Sequence, residues 1–282
     1  MKNQVKTVML LGVLTALMLW FGSFWGASGL TIALIFVLGM NLVMYLFSDK
    51  IVLWMYKAKE VKEKDVPELF KLVREVSEEA GMPMPRVYLI PSGNPNAFAT
   101  GRSPSRSAVA CTVGIMDLLT KEELRGVIAH EMAHIKNRDT LIMVIASTIA
   151  GVISYLASMV KWAAIFGGFG GRDNDNGRNI IGLLALAIIT PIIALLIQLA
   201  ISRSREYLAD ETGAKIVKNP QALASALEKL EHGVKQAPMS MGGQATSSLF
   251  IVNPFSSSSI FSLLSTHPPV KERVKRLKEL KI

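Results

Sequence analysis

His130, Glu131 and His134 follow one another as H-E-x-x-H inside the stretch IAHEMAHIKNRDTLIMVIA, residues 128–146. On a helix, positions four apart share a face, so both imidazoles can reach one metal ion. Glu131, next to the first ligand, is placed to act as a general base toward a metal-activated water. The chain has 4 His and 15 Glu in 282 residues, so this spacing is rare by chance. The motif also sits on an expected helix with its own start signal. Thr120 and Glu123 form a capping box, which starts that helix at about Lys121.

Two histidines do not complete a catalytic zinc site, which takes a third protein ligand and leaves the fourth position to water. The other histidines are His232 and His267, and the carboxylate candidates include Glu206 and Asp210 in SRSREYLADETGA. The choice depends on how the chain is laid out.

Half of the residues are hydrophobic, and they are clumped. Four apolar runs stand out, at about 5–25, 30–47, 140–166 and 180–201. Each is long enough to cross a hydrocarbon core of about 30 Å as a helix. Trp20, Trp25, Trp54 and Trp162 lie near run ends, where indole prefers the interface. A cleavable signal peptide is the rival reading of the first run. Segments 48–139 and 202–282 carry 14 and 12 of the 31 Lys and Arg. Both are therefore expected on the cytoplasmic side, together with the termini. The net charge of +9 suits anionic headgroups, and no motif supports nucleic-acid binding. The single cysteine, Cys111, excludes a disulfide within the chain and reads as a small buried strand residue.

Spans three and four, paired as a hairpin, bring the residues that flank them to one face of the membrane. His134 lies six residues before span three and Glu206 five residues after span four. Glu206 is thus the best third ligand, and Asp210, one turn on, can accept a hydrogen bond from a ligand imidazole. The competing reading of Glu206 is a surface carboxylate paired with Arg203 or Arg205. The polar step Lys136–Asp139 then separates wet from dry, with the metal within about 11 Å, two helical turns, of the membrane boundary.

Around this centre, residues 67–81 read as an amphipathic helix, and 86–90 and 107–113 as strands. The intervening SGNPNAFATGRSPS is rich in turn formers. Asn219-Pro220 opens another helix. Residues 236–266 read as a mobile loop or lid. A last helix follows Pro268-Pro269, with Val270, Val274 and Leu277 on one face and five Lys or Arg on the rest, read as a basic solvated face.

HEMAHIKNRD (130–139) followed by SRSREYLAD (202–210) after a further span resembles the HtpX membrane metalloproteases, as do NPNAFATG (94–101) and THPPVKERVKRL (266–277). The resemblance covers essentially the whole chain. More distantly, the chain is similar to the CAAX prenyl proteases. The expected fold is a mainly α membrane protein: four transmembrane helices plus a cytoplasmic zincin-like α+β metalloprotease domain built from two segments. The parts are hairpin 1–47, catalytic segment 48–139, hairpin 140–201 and catalytic segment 202–282.

The resemblance implies one zinc ion per chain on His130, His134 and Glu206, with Glu131 as base and Asp139 and Asp210 behind the ligands. It places Asn96, Ala97 and Phe98 on an edge that pairs with extended substrate backbone. It sets His267 and Arg273 near the metal, where they stabilise the oxyanion. It implies peptide hydrolysis in misfolded or damaged membrane proteins, in a multi-pass protein of the cell membrane. Its partners are polypeptide substrates and the lipid bilayer. Two other readings use the same motifs: a processing protease for a specific or prenylated substrate, and a catalytically dead metal-binding scaffold.

Overall fold

The computed structural model describes residues 26–143, 203–239, 249–253 and 268–282, together with isolated positions 12, 15, 16, 19, 20, 23, 241 and 246. Apart from a few residues, the first, third and fourth expected spans lie outside the described residues. The second falls within helix α1, Gly26–Met55. At 1.5 Å per residue this helix is about 45 Å long, more than a bilayer core needs. Its stretch Gly26–Val43 is apolar and almost wholly exposed, with Ile32 and Ile35 each 68 % accessible. It is the one helix among the described residues with the length and composition to cross a membrane. Its far end is different in kind: Val52 and Leu53, with Tyr56 just beyond, are buried against the sheet.

Four strands form that sheet: β1 (Lys59–Glu60), β2 (Arg86–Ile90), β3 (Ala97–Gly101) and β4 (Ser107–Thr112), in the order β1-β2-β4-β3. β2 and β4 are parallel, and the other two pairings are antiparallel. β3 lies inside the stretch whose turn formers predict a loop. Its AFATG alternates between two cores, and burial on both faces outweighs the turn signals on either side. Ala97, Ala99, Val109, Cys111 and Val87 face one apolar cluster; Phe98, Ala108, Ala110, Tyr88 and Ile90 face the other.

The first cluster is roofed by helices. α2 (Pro67–Ala80) buries Leu69, Leu72, Val73 and Val76 and ends at Gly81, whose φ of 66° suits a residue without a Cβ. α3 (Val113–Leu118) is short, and Thr112 caps it. α4 (Lys121–Lys136) begins with the predicted capping box, both of whose bonds form. α5 (Arg203–Val217) and α6 (Pro220–Gln236) follow, α6 capped by Asn219 through the Ala222 N–H. α7 (Val270–Glu279) closes the domain with Val274 and Leu277 inward. Arg273 departs from the predicted solvated face: it is 1 % exposed, because two buried carboxylates on α5 offer its guanidinium partners. The second cluster joins the end of α1 to Ile142, Met143, Leu249 and Phe250.

Candidate metal centre

α4 carries His130 and His134 one turn apart, and α5 packs across it. The contact is close because α5 has a glycine there. A Cβ on Gly213 would stand 2.8 Å from the His130 N and 2.9 Å from its Cα. This approach places Glu206 opposite the two imidazoles. His130 Nε2 and His134 Nε2 are 3.2 Å apart, and Glu206 oxygens lie 3.8 and 3.5 Å from them. The rings stand edge to face at 89°. All three residues are at most 2 % exposed, which removes the reading of Glu206 as a surface carboxylate.

Each imidazole has a carboxylate behind it. His130 Nδ1 lies 2.9 Å from Asp210 Oδ1, at ion-pair distance though not aligned as a hydrogen bond. His134 Nδ1 lies 3.4 Å from Asp139 Oδ2. A carboxylate at each Nδ1 favours the proton there and leaves the Nε2 lone pairs facing inward. Asp139 reaches this position because α4 stops at Lys136. Arg138 then takes a left-handed φ of 58°, and Asp139 N–H returns to the His134 carbonyl before the helix resumes at Thr140. The predicted polar step is thus a bend that turns a carboxylate back under its own ligand.

The donor set fits a zinc ion. Two imidazole nitrogens on a tetrahedral zinc stand roughly 3.3 Å apart, close to the 3.2 Å observed. Two lone pairs facing each other at that distance call for a shared cation, and a buried Glu206 carboxylate oxygen lies within 3.8 Å of each. The surrounding charge agrees. Burial alone would lower the His134 pKa, but Asp139, Glu206 and Glu131 outweigh it and raise it to about 9. A divalent cation answers the same demand for positive charge.

Glu131 faces this cluster from the sheet side. Its Oε2 accepts the Ala99 N–H at 2.7 Å, so β3 holds the carboxylate in place. Burial pushes its pKa up to about 8; Glu206 adds to the shift, while His134, the Ala99 N–H and Arg273 oppose it. A carboxylate held there is placed to take a proton from a neighbouring water. Ala99 was not legible as a site residue, since its contribution is a backbone group.

Arg273 ties the second segment to the first. Its Nε and Nη2 donate to the two Asp210 oxygens at 2.8 and 2.6 Å, and Nη1 donates to the Ile251 carbonyl at 2.9 Å. Nη1 also lies 3.5 Å from Glu206 Oε2. Burial opposes the charged form of Asp210, but Arg273 holds its carboxyl below the usual range. Arg205, next to the candidate ligand, is 7 % exposed, and none of its guanidinium nitrogens has a hydrogen-bond partner among the described residues.

Asn96, Ala97 and Phe98 run along β3, but they do not share one task. Asn96 and Ala97 bond to residues 251 and 252, whereas Phe98 points into the second core against Tyr56 and Phe250. His267 lies outside the described residues. His232 is exposed on α6, away from the cluster.

The family model for peptidase family M48 matches residues 63–281. A protein named protease HtpX homolog from Syntrophobacter fumaroxidans is 53 % identical over 99 % of this chain and 100 % of its own length. One from Thermococcus kodakarensis is 50 % identical over 98 % of this chain and 95 % of its own. In three dimensions the chain is similar to the crystal structure of S. mikatae Ste24p, with a TM-score of 0.54 at 20 % identity. That alignment covers 98 % of this chain and 65 % of the other, and it speaks for the fold. With a His-His-Glu cluster between α4 and α5 and a family match over most of its length, the chain belongs to the HtpX group of peptidase family M48 and is a metalloprotease that hydrolyses peptide bonds.

Proposed function

We propose that the protein is a zinc-dependent endopeptidase anchored by four transmembrane helices, with its catalytic domain on the cytoplasmic face, and that it hydrolyses peptide bonds in misfolded or damaged membrane proteins. One observation carries the reading: Glu131, buried beside His130, His134 and Glu206, is held through the Ala99 N–H of β3. A purely structural metal site has no need of a carboxylate oriented in this way, which weighs against a dead scaffold.

His130, His134 and Glu206 would hold the zinc, which supplies a Lewis acid and a water of lowered pKa. Glu131 takes a proton from the attacking water and passes it to the leaving amine. Asp210 and Asp139 keep both ligand imidazoles in the tautomer that leaves Nε2 free. Arg273 keeps Asp210 ionised and adds positive charge beside the reacting groups. His267 is assigned to the oxyanion on the strength of the THPP resemblance. Orientation rests on the uneven placement of Lys and Arg, and membrane-protein substrates on a catalytic domain that joins helix α1 without a linker.

The test is Glu131→Gln in the detergent-solubilised full chain. Peptide hydrolysis should fall by about 10²- to 10⁴-fold, with zinc retained at one per chain by elemental analysis. Unchanged hydrolysis would remove Glu131 from the mechanism.

A further inference from the structure

The outer edge of β3 is not bare. Residues 249–253, Leu-Phe-Ile-Val-Asn, lie along it. Ile251 N–H donates to the Ala97 carbonyl at 3.3 Å, and the Ile251 carbonyl accepts from Arg273 Nη1 at 2.9 Å. The Val252 carbonyl accepts from Asn96 Nδ2 at 2.7 Å, and Val252 N–H reaches Asn96 Oδ1 at 3.5 Å. All four backbone polar groups of this dipeptide are therefore engaged by three residues, Asn96, Ala97 and Arg273. The chain is bent over residues 250–252 and holds to the edge through the Ala97 carbonyl and the Asn96 side chain. It also lies one guanidinium away from the metal cluster, because Arg273 is 3.5 Å from Glu206 Oε2 and from His130 Nε2.

These bonds go to backbone groups alone, as when a protein holds a peptide whose side chains it does not read through hydrogen bonds. The side chains are read by burial instead. Leu249, Phe250, Ile251 and Val252 are all at most 7 % exposed. Phe250 stacks edge-on against Tyr56 and Phe98, at 4.9 and 5.3 Å between ring centres. Ile251 and Val252 enter the core on the other face.

We propose that Leu249–Asn253 is an intramolecular occupant of the substrate edge, and that a polypeptide is cleaved after an apolar segment of its own displaces it. The proposal rests on the endopeptidase reading above, since an endopeptidase must hold substrate residues on both sides of the scissile bond. A polar peptide can replace the four backbone bonds but leaves the two apolar sites unfilled. An apolar segment, such as a damaged membrane protein exposes, replaces both. The occupant thus selects the substrate class as well as holding back activity.

The experiment compares the full-length zinc enzyme with its Phe250→Ser variant in detergent, on two quenched fluorescent peptides. One carries Leu-Phe-Ile-Val and the other a Ser- and Asn-rich sequence. The wild type should favour the apolar peptide. The variant, which leaves Asn96, Ala97 and Arg273 in place, should cleave the polar peptide roughly tenfold faster or more as the competent fraction rises. The preference should narrow accordingly. If zinc content and melting temperature are normal but both rates fall, the segment is a fixed wall of the cleft and the proposal is overturned. If the variant does not fold, Glu131→Gln with the native segment serves. Saturation with the apolar peptide should speed hydrogen exchange at the Ile251 and Val252 amides, and unchanged or slower exchange there overturns the proposal. No cleavage of either peptide by zinc-loaded wild type and variant alike would remove the endopeptidase reading, and the proposal with it.

Discussion

Asp210 Oδ1 stands 2.9 Å from His130 Nδ1 and 2.6 Å from Arg273 Nη2. One carboxylate oxygen therefore faces a ligand imidazole from α4 and the buried cation of α7. Removing its charge releases both. Asp210→Asn should weaken zinc binding by about 10- to 100-fold, measured by competition with a chromophoric chelator. It should also lower the melting temperature, because Arg273 is left buried without its carboxylate. Unchanged zinc affinity would mean that Asp210 serves Arg273 alone.

Glu206→Ala tests the third ligand. Its oxygens lie within 3.8 Å of both Nε2 atoms, while Asp210 faces Nδ1. Zinc measured by elemental analysis after dialysis should drop well below one per chain, and peptide hydrolysis should drop with it. Stoichiometric zinc in this variant would pass the ligand role to another residue.

Gly213→Ala addresses packing rather than chemistry. The added methyl would meet the His130 backbone at 2.8 Å, where neither helix can give way cheaply. Overpacking of this kind costs about 1–3 kcal/mol. Because the strain acts between α4 and α5, zinc affinity should fall although every ligand is present. The same substitution at exposed Gly93, whose Cβ would meet nothing within 4 Å, serves as the control.

Glu123 makes a prediction in pH. Burial would raise its pKa, but hydrogen bonds from Lys229, Ser225 and Thr120 hold it down to about 2, from an ordinary 4.5. A depressed folded-state value means that the stabilisation is fully present above about 4.5 and is lost as pH falls toward 2. Screening at the half-exposed Lys229 leaves a contribution of about 1–2 kcal/mol. In melts recorded between pH 7 and pH 3, Glu123→Gln should lower the midpoint at pH 7 and flatten its fall toward acid. An identical pH slope in both proteins would show that Glu123 does not carry this dependence.

Much of the local structure was legible before any fold was known. The capping box at Thr120 and Glu123, the Asn219-Pro220 start and the stop at Gly81 are signals spanning four residues or fewer, and each forms as read. The sequence did not show that Glu123 also bonds Ser225 and Lys229, 102 and 106 residues away. The turn formers around β3 hid it as a strand for the same reason, although the resemblance had placed an edge at residues 96–98. Its turn-forming neighbours are local, but the two cores that fix AFATG as a strand are assembled from distant segments.

The sequence alone determined the imidazole pair and its base, because helical periodicity converts a spacing of four into a shared face. It also determined the apolar runs, because twenty apolar residues have few other places to go. Tertiary structure decided which of two carboxylates one turn apart faces Nε2 and which Nδ1, because that depends on the rotation of α5 against α4 at Gly213. It placed Arg273, one of five basic residues on a short helix, in the interior, because the carboxylates that repay its desolvation lie on another helix. It also set Ile251 and Val252 on the β3 edge, a pairing of backbone groups that no side-chain pattern encodes.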